Sequence, residues 1–243
     1  MIIGNLYQTF TEAVLLKRKL LAILMDPEKF NLEEAPQFLR QLPADTTHIF
    51  VGGSTVPEGM TEELVKTVKL YTAKPVIIFP GDHSQITAAA DALLFLSLLS
   101  GRNPEYLIGQ QVKAIPRLRT HALEVISTGY ILIDGGNESA VSQVTQTGAM
   151  DQQEVQAIVD TAKAGELMGA KTIYLEAGSG AIVPVSAQVI SAVRKELSIP
   201  LIVGGGIRSE AQKKAAYDAG ANMVVMGTAF EGENSKSPIS NLE

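Results

Sequence analysis

The chain has 243 residues, 46% of them hydrophobic, and a formal net charge of −6. Its lysines and arginines are scattered along an acidic chain, so we expect no nucleic-acid partner. The absence of cysteine excludes disulfides, thiolate metal sites and cysteine nucleophiles. We see no secretory signal and no apolar run long enough for a membrane span, and we therefore predict a cytoplasmic protein.

Short apolar runs alternate with segments of helical period along the chain. The candidate strands are residues 20–25, 48–51, 75–79, 92–96, 124–133, 171–176, 200–203 and 222–226. This alternation predicts an α/β fold, and at this length one (β/α)₈ TIM barrel over residues 1–243. We expect residues 1–19 to form a helix that caps the barrel bottom, and residues 231–243 to be a frayed tail after a short last helix.

The connection between the third and fourth strands is short. Only about 12 residues separate Phe79 from Ala92, which is the minimum for a crossover with its helix. We predict a reduced or missing helix there, and a groove in the barrel flank for a long apolar ligand. The neighbouring apolar residues either line that groove or simply fill core: Leu93, Leu94, Phe95, Leu96, Leu98, Leu99, Leu107 and Ile108.

Three glycine-containing turns follow the last three strands. They end the runs Tyr174–Gly180, Leu201–Gly206 and Met223–Thr228. In a barrel, turns after the seventh and eighth strands offer backbone N–H groups and helix N-termini to a phosphate. The turns therefore predict a phosphorylated small-molecule ligand.

Two carboxylates follow predicted strands and are candidates for chemistry. Asp26 suits a hard cation such as Mg²⁺, or else caps a helix that starts at Pro27. Glu176 directly precedes the first glycine turn, where a general base for a substrate hydroxyl belongs, or else it is satisfied by neighbouring backbone donors. Lys19, Lys74 and Lys171 precede strands, so a Schiff-base lysine is not indicated.

Taken together, the motifs of this chain strongly resemble those of the geranylgeranylglyceryl and heptaprenylglyceryl phosphate synthase family. They occur in the order expected for that family and span nearly the whole chain. The matching motifs are Ile23-Leu24-Met25-Asp26-Pro27, Val51-Gly52-Gly53-Ser54, Phe79-Pro80-Gly81, Leu98-Leu99-Ser100-Gly101-Arg102-Asn103-Pro104, Gly129-Tyr130-Ile131, Tyr174-Leu175-Glu176-Ala177-Gly178-Ser179-Gly180, Val203-Gly204-Gly205-Gly206-Ile207-Arg208 and Gly227-Thr228. The resemblance implies a Mg²⁺-dependent prenyltransferase. It would join geranylgeranyl diphosphate to the C3 hydroxyl of sn-glycerol 1-phosphate, form an ether bond and release pyrophosphate.

The resemblance also implies roles for individual residues. Asp26 and Ser54 would hold the metal, and Glu176 would be the catalytic residue. Glycerol phosphate would be bound by Tyr174, Leu175, Glu176, Ala177, Gly178, Ser179, Gly180, Gly205, Gly206, Gly227 and Thr228. A homo-oligomer is implied, and any membrane contact would be transient, for the product.

Some features depart from the family or stay open. Some relatives carry a lysine where this chain has Leu24, which leaves one phosphate contact unassigned. Thr55 is an alternative to Ser54 as the metal-side hydroxyl, and Asp82 and His83 have no assigned role.

Two other functions fit part of the pattern. A sugar-phosphate isomerase or lyase would use Asp26 and Glu176 as an acid–base pair and would need no long apolar groove. A barrel without prenyl chemistry would use the glycine turns to hold a flavin or another cofactor by its phosphate.

Overall fold

A computed structural model describes residues 6–120 and 122–227. Within them, eight parallel strands form a closed barrel in sequential order. The strands are β1 Leu20–Met25, β2 Thr46–Val51, β3 Val76–Ile78, β4 Ala92–Leu98, β5 Glu124–Leu132, β6 Thr172–Glu176, β7 Leu201–Gly204 and β8 Met223–Met226. The predicted barrel is confirmed, and each strand ends within about two residues of its predicted bounds.

Helices surround the barrel. They are α1 Leu6–Leu15, α2 Ala35–Arg40, α3 Met60–Tyr71, α4 Gln110–Leu118, α5 Ala140–Thr145, α6 Val155–Leu167, α7 Ala187–Glu196 and α8 Glu210–Ala219. Serine hydroxyls of Ser139, Ser186 and Ser209 cap α5, α7 and α8. In the described ranges, no helix has the length and apolar content needed to cross a bilayer. The predicted short last helix and the tail 231–243 lie outside the described residues.

Helix α1 lies against the N-terminal ends of the strands. The buried Phe10 packs with the barrel interior, and its ring meets that of His48 edge-on at 5.4 Å. The Glu124 carboxylate, on the first residue of β5, accepts hydrogen bonds from the N–H groups of Leu6 and Tyr7 at 2.6 and 2.9 Å. The far end of the barrel is therefore covered by this helix.

Alternation along each strand produces two apolar layers. On β1, Leu20 and Ala22 belong to the interior layer, whereas Leu21 and Ile23 belong to the layer between the barrel and its helices. The same period places Tyr174 inside the barrel and Leu175 outside it. A strand residue near the barrel mouth can therefore reach a ligand only if it belongs to the interior set.

The barrel wall is incomplete between β3 and β4. Strand β3 pairs with β4 only at Ile77↔Ala92 and Ile78↔Leu93, whereas β4 continues along β5 to Leu98. The β3–β4 connection holds only the 3₁₀ turn His83–Gln85, which confirms the predicted reduced helix. The Gln111 side-chain amide of α4 donates to the Leu96 carbonyl. An aperture thus opens beside β4, and α4 covers it from outside.

Candidate active site

A cavity of about 320 Å³ opens at the C-terminal ends of the strands and continues toward the aperture beside β4. This volume lies in the usual range for small-molecule sites. Predicted site residues that line it are Asp26, Ser54, Tyr174, Glu176, Ser179, Gly205, Gly206 and Gly227. Residues from β1, β2, β6, β7 and β8 therefore meet in one site, although they are far apart in the sequence.

The glycine turns after β6 and β7 bring unpaired backbone N–H groups to this cavity. The backbone N–H groups of Ser179, Gly205 and Gly206 donate to no acceptor among the described residues. N–H groups that converge on a concave surface favour a phosphate. Helix α8 begins only at Glu210, and the Ser209 hydroxyl already caps it. In the described part of the site, the donors thus belong to turns rather than to a helix N-terminus.

Gly205 allows the turn after β7 to approach β6. Its φ is +80°, and a Cβ there would lie 2.4 Å from Glu176 Oε1 and 2.6 Å from the Gly178 nitrogen. An L-residue would meet both backbone strain and a backbone clash. The close approach of the β7 turn to Glu176 therefore requires glycine.

Glu176 ends β6 and is only 6% exposed. Burial raises the pKa of this carboxyl to about 7, against the opposing hydrogen bond from the Gly178 N–H and the neighbouring Tyr174 hydroxyl. The Gly178 N–H donates to Oε1 at 2.7 Å, which orients the group. A carboxylate with a pKa near neutral pH is suited to accept a proton from a substrate hydroxyl.

The floor of the cavity is aromatic. The rings of Phe79 and Tyr174 stack with centroids 5.0 Å apart and planes 5° apart, and the Tyr130 ring lies 5.5 Å from that of Tyr174. The Tyr174 hydroxyl is close enough to Glu176 to affect its pKa, yet this buried oxygen meets hydrogen-bond geometry with no described residue. The floor is therefore a cluster of packed aromatic rings around one buried hydroxyl that has no described partner.

Asp26 and Ser54 provide oxygen atoms at the ends of β1 and β2. The Asp26 carboxylate lies against Gly53, where a Cβ would be 2.6 Å from Oδ1. The Thr55 hydroxyl donates to Glu28 at 3.3 Å, whereas that of Ser54 donates to no described acceptor. The geometry therefore favours Ser54 over Thr55 as the metal-side hydroxyl. In the described part of the chain, no group of three or more His, Asp and Glu side chains forms a metal site.

The apolar arm of the cavity runs through the aperture. Its lining residues from β4 are Leu93, Leu94, Phe95, Leu96 and Leu98, and α4 contributes Gln110, Gln111 and Ala114. The predicted candidates for this lining also included Leu99, Leu107 and Ile108, but these residues do not line it. Ile108 is instead 59% exposed, and Leu99 packs beside Gly129 and Gly165.

The loop residues Asp82 and His83 connect the β3–β4 segment to α4. The Asp82 carboxylate caps the 3₁₀ turn by accepting from the Ser84 N–H at 2.7 Å. The His83 ring Nδ1 lies 2.9 Å from Gln110 Oε1. Both residues line the cavity, and they help to hold the wall of its apolar arm.

Some predicted glycerol-phosphate residues lie behind the cavity surface. Leu175 and Ala177 pack in the outer apolar layer, and the Ala177 N–H donates to the Gly204 carbonyl. Gly178 supports Glu176, and Gly180 does not line the cavity. The strand period explains the position of Leu175, because its neighbours Tyr174 and Glu176 face inward. Thr228 lies outside the described residues.

Several residues that line the site had no predicted role, among them Lys29, Phe79, Tyr106, Tyr130 and Gln111. Alternation along β5 places Tyr130 on the inward face, so its position in the site could have been predicted. Phe79 follows the third strand at its C-terminal end, which is where barrel sites form. Lys29 and Tyr106 lie outside the strands and α-helices, where no period indicates which way a side chain faces. Gln111 lies on α4, whose period gives the face of the helix but not the strand that this face covers.

Comparisons with known proteins show the family of this chain. The model of the PcrB family matches residues 13–242. A geranylgeranylglyceryl phosphate synthase of Zunongwangia profunda is 56% identical over 216 residues, which cover 89% of this chain and 92% of the relative. A protein of the same name from Flavobacterium johnsoniae is 52% identical over 236 residues, 96% of each chain.

A solved structure is similar over the whole barrel. It is the crystal structure of (S)-3-O-geranylgeranylglyceryl phosphate synthase from Thermoplasma acidophilum in complex with its substrate sn-glycerol-1-phosphate. Its TM-score is 0.86 at 32% sequence identity, and the alignment covers 98% of this chain and 95% of that one.

Proposed function

The chain belongs to the PcrB family, and from this premise we propose that it is a geranylgeranylglyceryl phosphate synthase. The enzyme joins geranylgeranyl diphosphate to the C3 hydroxyl of sn-glycerol 1-phosphate and releases pyrophosphate. The Thermoplasma acidophilum relative binds sn-glycerol-1-phosphate, which supports this acceptor substrate.

One observation carries the proposal: a single cavity joins an anion-binding turn, a buried carboxylate and an apolar arm. The N–H groups of Ser179, Gly205 and Gly206, which have no acceptor in the described part of the chain, suit the glycerol phosphate. The arm beside β4 suits a polyprenyl chain, and Glu176 ends β6, which stands between β4 and β7 in the barrel order. A sugar-phosphate isomerase or a cofactor-binding barrel has no use for such an arm, so both alternatives are less well supported.

The residues of this chain act on both partners of the bond. Glu176 orients the C3 hydroxyl and takes its proton as the oxygen attacks C1 of the prenyl chain. The C1–O bond to the diphosphate breaks, and its electron pair leaves with pyrophosphate. Positive charge that develops at C1 is stabilised by the ring of Phe79, which keeps exposed surface at the cavity floor and has Tyr130 and Tyr174 packed behind it.

We also propose that Mg²⁺ is needed. The oxygen donors of Asp26 and Ser54 fit this ion, which commonly takes one or two carboxylates and completes its coordination with substrate phosphate and water. When bound, Mg²⁺ neutralises charge on the departing diphosphate.

A direct assay tests the function. The protein is incubated with Mg²⁺, labelled sn-glycerol 1-phosphate and geranylgeranyl diphosphate, and label is counted in the organic phase. We expect transfer by the wild type, and a loss of about 10²-fold or more in Glu176→Ala and Asp26→Ala. Glu63→Ala, on the outer helix α3, should keep full activity. No transfer with this or with shorter and longer prenyl diphosphates would contradict the proposal and favour the sugar-phosphate alternative.

We further propose that the enzyme works in the cytoplasm as a homo-oligomer and contacts membranes only transiently. The acidic composition and the absence of cysteine support the cytoplasmic location. The exposed side chains of Ile108, Val112 and Ile115 form one apolar stripe along α4 and the turn before it. We propose that a second copy of the chain covers this stripe. Sedimentation velocity checks the oligomer, and a monomer at micromolar concentration would contradict it.

A further inference from the structure

The charges around the cavity are unbalanced for anionic substrates. Among the described residues that line it, the carboxylates are Asp26, Glu28, Asp82 and Glu176. Opposing them are one lysine, Lys29, one histidine, His83, and no arginine. Lys29 is therefore the only lysine or arginine in the described lining of the cavity.

The turn after β1 holds Lys29 over the site. The Lys29 N–H donates to the Asp26 carbonyl at 3.1 Å, and the Glu28 N–H donates to Asp26 Oδ1 at 3.1 Å. This tight turn, which contains Pro27, folds the lysine back over the aspartate. The ammonium nitrogen lies 3.3 Å from Asp26 Oδ2, and the lysine side chain remains 50% exposed.

The position of Lys29 distinguishes between the two phosphorylated substrates. The N–H groups proposed for glycerol phosphate belong to the turns after β6 and β7. Lys29 follows β1, whose neighbour β2 leads to Ser54, and the aperture for the prenyl chain lies just beyond β3. A diphosphate whose tail enters the aperture therefore lies on the Lys29 side of the mouth.

We propose that Lys29 binds the diphosphate of the prenyl substrate and stabilises the negative charge of the leaving pyrophosphate. The inference rests on the proposed function and adds a diphosphate-binding residue to that site. When a cation occupies the Asp26 carboxylate, repulsion turns the ammonium group away from Asp26 and toward the phosphate oxygens. A lysine with a purely structural role would instead neutralise Asp26 and leave the affinity for pyrophosphate unchanged.

Calorimetric titration with inorganic pyrophosphate in the presence of Mg²⁺ tests this role without catalysis. Losing a charge-assisted contact should weaken pyrophosphate binding by roughly 10- to 100-fold in Lys29→Met. Lys29→Arg should stay within about 3-fold of the wild type, since it keeps the charge. The affinity for sn-glycerol 1-phosphate should not change in either variant. Lys66→Met is the matched control, because Lys66 also pairs with a carboxylate, Glu62, but on the outer helix α3.

The outcomes separate this proposal from the proposed function. Normal pyrophosphate binding by Lys29→Met in an enzyme that transfers prenyl groups would refute the role of Lys29 alone. An equal loss of affinity for glycerol phosphate would refute it too, because it would indicate general distortion. A wild-type protein that neither transfers prenyl groups nor binds pyrophosphate would refute both proposals. A KM for prenyl diphosphate that rises in Lys29→Met, with the KM for glycerol phosphate unchanged, would support the role.

Discussion

Replacing Glu176 by Gln should make the protein more stable, and by an amount that depends on pH. Burial raises the pKa of this carboxyl from its ordinary 4.5 to about 7. The folded protein therefore holds the proton more tightly than the unfolded chain does, and the free energy of unfolding falls as the pH rises from about 4.5 to 7. Glutamine does not titrate, so the variant escapes this loss.

The shift of about 2.5 pKa units corresponds to about 3 kcal/mol, at 1.36 kcal/mol per unit. Urea unfolding of both proteins at a series of pH values, at one fixed protomer concentration, measures it. The difference in unfolding free energy between Glu176→Gln and the wild type should grow by about 3 kcal/mol between pH 4.5 and 8 and then stay constant. All other titrating groups are shared and cancel in this difference. A difference that is the same at every pH would refute the assigned burial cost.

Glu166 provides a control of opposite sign. Its site is desolvated, which opposes ionisation, but hydrogen bonds from Lys163 and Ser198 outweigh this and lower the pKa to about 2. Stability from this carboxylate is present above pH 4.5 and is lost as the pH falls toward 2. Glu166→Gln should therefore be less stable than the wild type at pH 7, and this deficit should shrink in acid.

Three more predictions concern activity and local packing. The kcat/KM of the wild type should rise with pH and level off above an apparent pKa near 7, the value for Glu176, and a flat profile would contradict its role as base. Gly205→Ala should cost at least about 1–2 kcal/mol of stability, because φ is +80° and the new Cβ meets Glu176. The same variant should bind glycerol phosphate more weakly in calorimetry, and unchanged binding would count against the turn as the phosphate site. Glu124→Ala should lower stability by about 1–2 kcal/mol and expose α1 to protease, since the Glu124 carboxylate caps that helix. A cleavage rate like that of the wild type would contradict this capping role.

The local sequence pattern was sufficient to predict the barrel and the residues at which its strands end. An apolar run that alternates with helical period places strands, and parallel strands bring their C-terminal ends to one face. Asp26 and Glu176 could be selected because each stands at such an end. The short connection after Phe79 predicted a reduced or missing helix, since about 12 residues are the minimum for a crossover with its helix.

Only the closed barrel decided how these residues act on one another. The pKa of Glu176 depends on burial, and that burial needs the β7 turn, whose Gly205 is far along the chain but adjacent in space. The aperture beside β4 follows from how few residues β3 pairs and from the Gln111 amide that satisfies the Leu96 carbonyl. Lys29 lies over Asp26 because of the geometry of one turn, which hydrophobic period does not encode. Period determines which face of a strand or helix a residue occupies, whereas contacts between distant segments depend on closure of the whole barrel.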